Sequence, residues 1–464
     1  MRKVLIATIC LFLWSFFARG ESSPAAAEWP IRRGEVWAAV GDSITQGGTY
    51  YMWIALYHVT RFPTRQAEIL NCGISGDTAS GALSRYAWDI QPKKPSFATV
   101  MFGMNDVGRP LYGDRVDPKA IAERGKRLDQ YSSSLKMLVQ QLKRDGAQVM
   151  LITPTPYDEA VACQTPSLTG VDQALERCME IMQRIAGEEG IPVIDLHSPL
   201  VHLNKELQQH APGASWIGPD RVHPGEAAHL AAACHILEAW KAPTEISLLA
   251  LDGAKGSVVT SRNVTVSDLN TREGRISFTS VEASLPFPID EAAKDGPAPL
   301  PLASRFNRQE LRISGLPGGR YELSIDGRRM AEFSNAELED GVNLAAEFQT
   351  PMYQQALSVL KQIRAWQRRV AYADRGIAQI QHGILRAYGP SFDFSLTSPI
   401  VMDALEKAKS SDDPKEHRKV YSLERYLKIK PEEAEGRKQI RNELRKAFEL
   451  AQPKAHQFEI RRMR

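Results

Sequence analysis

Four short stretches of this sequence carry side chains that together can do acyl-transfer chemistry. Ser43 stands in Gly41-Asp42-Ser43-Ile44-Thr45, and Gly73 in Asn71-Cys72-Gly73-Ile74-Ser75-Gly76-Asp77-Thr78. Asn105 stands in Gly103-Met104-Asn105-Asp106, and Asp220 and His223 in Asp220-Arg221-Val222-His223-Pro224. Acyl transfer needs a nucleophile, a base, a group that orients the base, and donors for the oxyanion. Ser43 is the candidate nucleophile and His223 the candidate base. Asp220, on the same loop, is the candidate orienting carboxylate. The N–H of Ser43, the backbone N–H of Gly73 and the side-chain amide of Asn105 are the candidate oxyanion donors. A glycine there admits a ligand that a Cβ would keep away. Asp42 and Asp106 read as braces of the two key loops. Each stretch alone has a plainer reading as a turn or a helix cap; their coincidence argues for chemistry.

The coincidence depends on which elements carry the stretches. Apolar, often β-branched runs at 36–40, 67–71, 97–102, 148–153 and 192–196 predict strands. Helical patterns lie between them at about 48–60, 79–89, 118–144 and 171–187, with a last one at about 224–240 that opens on Pro224. Strict alternation of strand and helix predicts a parallel sheet covered on both faces. Ligands then gather beyond the carboxyl ends of the strands. Ser43, Gly73 and Asn105 follow the first three strands, and the Asp220/His223 pair follows the fifth after a longer irregular stretch. No Gly-x-Ser-x-Gly elbow surrounds the serine, so the common α/β-hydrolase motif does not apply.

In order and approximate spacing the four stretches resemble the four sequence blocks of the SGNH hydrolases, also called GDSL esterases and lipases, with Ile44 where the name has Leu. The resemblance covers about residues 31–245. It implies a flavodoxin-like three-layer α/β/α domain and ester hydrolysis that uses no metal and no cofactor. Ser43, His223 and Asp220 would be the triad, and Ser43, Gly73 and Asn105 the oxyanion hole. It leaves the ester open. Aromatic residues expected near the rim, Tyr50 with Tyr51, Trp88 and above all Trp216, suit the flat faces of sugar rings. No large apolar lid is evident. The expectation is therefore a small-acyl, acetylesterase-like enzyme acting on carbohydrate. The alternatives are a lysophospholipase or thioesterase with the same triad, and a catalytically silent glycan-binding protein.

Composition bounds the rest. A net charge of +3 over 464 residues is too small to imply nucleic-acid or membrane binding. Met1-Arg2-Lys3, an apolar run to Phe17 and Ala18-Arg19-Gly20 read as a secretory signal peptide over residues 1–20, hence export to the periplasm or medium. No later stretch is long and apolar enough to span a membrane. Of the remaining cysteines, Cys163 and Cys178 are the expected disulfide pair, while Cys72 and Cys234 read as buried small hydrophobes. His58, His197, His202, His210, His229 and His235 have no ligand spacing around them, and no metal site is expected. Residues 246–348 alternate with period two and predict a small antiparallel β unit. Residues 349–464 predict a helical region. Leu360, Ile363, Trp366, Val370, Ala373, Ile377, Ile380 and Ile384 form an amphipathic stripe there. The basic excess of this region leaves attraction to an acidic polymer as a minor reading.

Overall fold

Short strands with apolar residues on both faces need cover on both, and the first half of the chain supplies it. The computed structural model describes residues 29–272, 274–289, 303–386 and 392–463; the expected signal peptide lies outside them. Strands β1 (Val36–Gly41), β2 (Glu68–Gly73), β3 (Phe97–Met101), β4 (Gln148–Ile152) and β5 (Val193–Ile194) form a parallel sheet in the order β2-β1-β3-β4-β5. The helices are α1 (Ser43–Gln46), α2 (Tyr50–Arg61), α3 (Ala79–Arg85), α4 (Pro118–Arg144), α5 (Val171–Glu189), α6 (His197–His210) and α7 (Glu226–Ala239). α3 packs on α4 and α4 on α5, while α2 packs on α7. These are the helical layers of a flavodoxin-like domain.

The register decides where chemistry can sit. Gly41 ends β1 opposite Gly73 on one side and Met101 on the other. The chain leaves β1 for β2 on one flank and reaches β3 on the other, so the loops diverge beyond Gly41 and leave a crevice at the carboxyl edge. Helix α6 occupies the stretch expected to be irregular. It buries only His197, Leu200 and Asn204, too sparse a face to show as a period.

All of α2 is buried, and this corrects the expected place of Tyr50. A helix apolar all round has to be covered all round. α7 covers one side and helix Pro351–Arg369 another. Arg61, at the end of α2, donates to the carbonyls of Glu245 (2.5 Å) and Phe306 (2.6 Å).

Two further sheets follow. β6 (Glu245–Asp252), β7 (Ser257–Arg262), β10 (Arg308–Ser314) and β13 (Val342–Asn343) form one, in which β6 and β10 run parallel. β8 (Val264–Arg272), β9 (Arg275–Glu282), β11 (Arg320–Ile325), β12 (Arg328–Ser334) and β14 (His456–Arg462) form the other, antiparallel, in the order β12-β11-β14-β9-β8. The region expected to be helical to its end thus sends a strand back into the middle of a sheet. Phe458 lies opposite Phe278 with their rings stacked at 5.0 Å. Between these sheets' strands run helices Pro351–Arg369, Arg375–Gly383, Phe394–Ser410, Pro414–Ile429 and Glu433–Leu450. A second apolar core, built on Ile377, Phe392, Val401, Leu423 and Tyr426, holds the middle three together. Among the described residues no helix is long and apolar enough to cross a membrane.

His58 shows how tightly the two halves are joined. Its Nδ1 accepts from the Trp29 indole (3.0 Å) and its Nε2 donates to the Arg65 carbonyl (2.8 Å). Its ring lies edge-on to Phe448 at 5.8 Å. Burial pushes the imidazole from 6.5 down to about 4, so the folded chain refuses a proton that the unfolded chain takes. Between those values the unfolded state binds more protons, and stability falls as pH falls. Replacing His58 by Gln removes this term. The wild type's advantage over His58→Gln in urea unfolding is expected to shrink by up to about 3 kcal/mol between pH 7.5 and pH 4. An advantage constant over that range would refute the assignment.

Candidate active site

Asp42 caps the short helix α1 through its carboxylate, which accepts from the N–H of Ile44 (2.9 Å). That cap sets Ser43 at the first helical position, where its own N–H has no intrahelical partner. The Asp220/His223 loop arrives from the far end of the domain. Gly218 N–H donates to the His223 carbonyl (2.8 Å) and Gly225 N–H to the Trp216 carbonyl (3.0 Å), which pinches residues 216–225 into a clasp. Arg221 sits inside the clasp with φ +67°. Its guanidinium donates to the carbonyls of Asp158 and Thr165, both at 2.8 Å, and pins the loop to the β4–α5 connection.

The three side chains meet in line. Ser43 Oγ lies 2.8 Å from His223 Nε2, and His223 Nδ1 lies 2.5 Å from Asp220 Oδ2. Asp220 Oδ1 accepts from the N–H groups of Val222 (3.1 Å) and His223 (2.9 Å). Burial works against the Asp220 charge, but the His223 imidazole and these two N–H donors hold the carboxyl below its usual range. A carboxylate on Nδ1 makes that nitrogen the N–H donor and leaves Nε2 free to accept from the hydroxyl. A serine hydroxyl in that position is set to lose its proton as it attacks.

Of the expected oxyanion donors, Asn105 reaches Asp42, the neighbour of Ser43, whereas the Gly73 N–H is already engaged. Asn105 Nδ2 donates to the Asp77 carbonyl (2.9 Å) and to Asp42 Oδ2 (3.3 Å). The N–H of Gly73 already donates to Asn71 Oδ1 (2.8 Å). Gly73 is needed for close approach instead: a Cβ there would lie 2.4 Å from the Gln46 nitrogen and 2.8 Å from the Asp42 oxygen. Three residues on, Gly76 is exposed on a turn with φ +76°, and its N–H donates no hydrogen bond among the described residues. The Ser75-Gly76-Asp77 turn in the same block was the available signal.

The two carboxylates of these loops are buried. Burial pushes Asp42 up to about 6, against the N–H of Ile44, and pushes Asp106 up to about 7, against the N–H of Ala79. Asp106 holds that N–H at 2.9 Å and the Gly103 N–H at 3.1 Å, so both acids brace their loops. Arg109 was not anticipated. It donates to Asn105 Oδ1 (3.4 Å), which keeps the amide nitrogen turned toward Asp42 and the Asp77 carbonyl.

The expected aromatic rim is corrected. Tyr50 is core, bonded through its hydroxyl to Thr45 Oγ1 (3.1 Å). Trp216 is buried, and its N–H donates to Asn204 Oδ1 (2.8 Å), so it supports the clasp from beneath. Trp88 is half-buried and meets the Phe392 ring edge-on at 4.9 Å. The expected Cys163–Cys178 bridge is absent. Cys178 is buried in α5, and the Cys163 thiol points at the Pro219 carbonyl (3.5 Å).

Residues 39–231 match the model of the GDSL-like lipase/acylhydrolase family. An acetylxylan esterase of Geobacillus stearothermophilus is 28% identical over 215 residues, which are 43% of this chain and 91% of that protein. The uncharacterized lipoprotein YqeF of Bacillus subtilis strain 168 is 26% identical over 129 residues, 26% of this chain and 49% of that one. The architecture beyond the first domain is shared as well. BT4096, described as a gut microbial diltiazem-metabolizing enzyme, superposes with a TM-score of 0.83 at 26% identity, over 94% of this chain and 99% of that one.

Proposed function

We propose, from the premise that this chain belongs through residues 39–231 to the GDSL-like lipase/acylhydrolase family and is a carboxylic ester hydrolase, that it is an exported serine esterase releasing small acyl groups, acetyl above all, from carbohydrate. The observation that carries the reading is the unbroken hydrogen-bonded line from Ser43 Oγ through His223 to Asp220. Ser43 Oγ attacks the acyl carbon while His223 Nε2 takes its proton. The carbonyl oxygen becomes an oxyanion facing the N–H of Ser43 and the N–H of Gly76, with Asn105 Nδ2 turning to it from its long bond to Asp42 Oδ2 (3.3 Å). His223 then gives the proton to the leaving alkoxide, and the acyl group stays on Ser43. Water repeats the sequence with His223 as base and frees the carboxylic acid. Asp220 keeps the proton on Nδ1 at the start and faces the imidazolium when it forms.

Exposure favours a small acyl group on a large alcohol. The His223 and Asp220 side chains are 48% and 51% exposed, so the leaving-group side opens to solvent, as a polymer chain requires. The related acetylxylan esterase supports carbohydrate as that alcohol. Export rests on the amino-terminal pattern of the sequence.

The test has two arms. A fluorophosphonate is expected to label the full chain once, at Ser43, by peptide mass. Acetate release from acetylated xylan and pectin is expected to exceed release from a lysophospholipid, and p-nitrophenyl acetate to turn over faster than the octanoate. Equal rates on both chain lengths without acetate release from sugars would favour the lysophospholipase or thioesterase reading. Failure to label or to turn over any ester would leave a glycan-binding protein.

A further inference from the structure

The turn that carries Gly76 is held from the far end of the sequence. Asp77 is the hub: its carbonyl accepts from Asn105 Nδ2 (2.9 Å), and its carboxylate is almost fully buried. Oδ2 accepts from Arg85 Nε (2.8 Å). Oδ1 accepts from the N–H of Thr78 (2.9 Å) and lies 3.1 Å from His382 Nε2. A carboxylate in this network accepts, so the imidazole donates through Nε2. His382 belongs to helix Arg375–Gly383, 305 residues downstream of Asp77. From the same helix, Gln379 Oε1 accepts from Gln46 Nε2 (3.3 Å) on the Ser43 side.

Two features show that this approach is built. Gly81, at the start of α3, leaves the room: a Cβ there would lie 1.8 Å from Asp77 Oδ1 and 3.2 Å from His382 Nε2. The helix is also riveted in place. Arg375 makes a two-pronged bond to Asp89 (3.0 and 2.8 Å) and bonds to its neighbour Asp374 (2.9 and 2.6 Å). Arg85 joins Asp89 to Asp77. Burial works against the Asp89 charge, and the Arg375, Lys93 and Arg85 cations hold its carboxyl well below the usual range. Removing one partner of such a buried set would leave a charge uncompensated. The helix therefore has one docked position, and His382 one place to donate.

We infer that His382 is a positioning residue for the oxyanion side of the site: it acts through Asp77 to hold the Gly76 turn and the Asn105 amide in place, so that the helical region is part of the catalytic apparatus. This rests on the serine-esterase reading. Small displacements of oxyanion donors cost rate while leaving ground-state binding nearly unchanged.

The experiment compares the full chain with His382→Phe, which keeps a ring without the donor, and His382→Gln, whose amide places a donor near Nε2. His382→Phe is expected to lower kcat on p-nitrophenyl acetate by about 10- to 100-fold with KM within about twofold, and to speed amide exchange at residues 75–78. His382→Gln is expected to recover most of both. Gln379→Ala serves if the phenylalanine variant folds poorly, with a kcat loss of a few fold, roughly, and unchanged KM. Unchanged kcat in the folded variants, or a loss confined to KM or tracking lower melting temperature, would overturn the inference. A wild type inert on every ester would instead overturn the esterase reading, and amide exchange would still decide whether His382 holds the turn.

Discussion

Alanine at Ser43 or at His223 is expected to lower kcat on p-nitrophenyl acetate by roughly 10⁴- to 10⁶-fold, with the fold intact. Neither change disturbs the core: Ser43 is half-buried, and His223 is exposed on its clasp. The two losses are not expected to add. Without the hydroxyl the imidazole has no proton to take, and without the imidazole the hydroxyl is a weak nucleophile, so the double variant should be no slower than the worse single one. The measurement is kcat and KM of the three variants beside their melting curves. A Ser43→Ala protein that keeps even a tenth of the wild-type rate would remove Ser43 from the chemistry.

Asparagine at Asp220 is expected to cost about 10³- to 10⁴-fold in kcat, for a reason visible in the loop. One carboxylate oxygen is held by two backbone N–H groups, those of Val222 and His223, while the other faces the imidazole. In Asp220→Asn the amide oxygen keeps the place that needs an acceptor, and the amide nitrogen is left facing His223 Nδ1. It then donates there, the ring proton moves to Nε2, and Nε2 can no longer accept from Ser43. The loss should fall on kcat with little change in KM or melting temperature. A variant within tenfold of wild type would mean that Asp220 does not set the tautomer.

How much of this was legible depends on the range of the cause. The parallel strands and the helices between them announce themselves locally, through apolar runs and turn residues. Ser43, Asn105, Asp220 and His223 could be found because each follows an element whose place in such a sheet is fixed by topology. Gly73 and Gly76 stand in the same block, and what separates them is a hydrogen bond that the Gly73 N–H donates to the Asn71 side chain. Tyr50 and Trp216 look like rim residues only while the partners that cover them, the His229 ring of α7 and Asn204, are out of sight. Cys163 and Cys178 lie close in sequence, but Cys178 faces the domain interior and Cys163 faces the clasp. His382 next to Asp77 leaves no mark on any window of the sequence.

The placing of β14 governs how such a chain must be made. β9 and β11 flank it on either side, so neither has its inner partner until residues 456–462 exist. Gln457 meets Thr279 across 178 positions of sequence. A nascent chain therefore carries two open strand edges from the completion of β11 at Ile325 until β14 is made, and closing so long a loop is slow. Unpaired edges are templates for joining other chains. A shortened protein ending at Leu450 would be prone to aggregate rather than simply to lack a module.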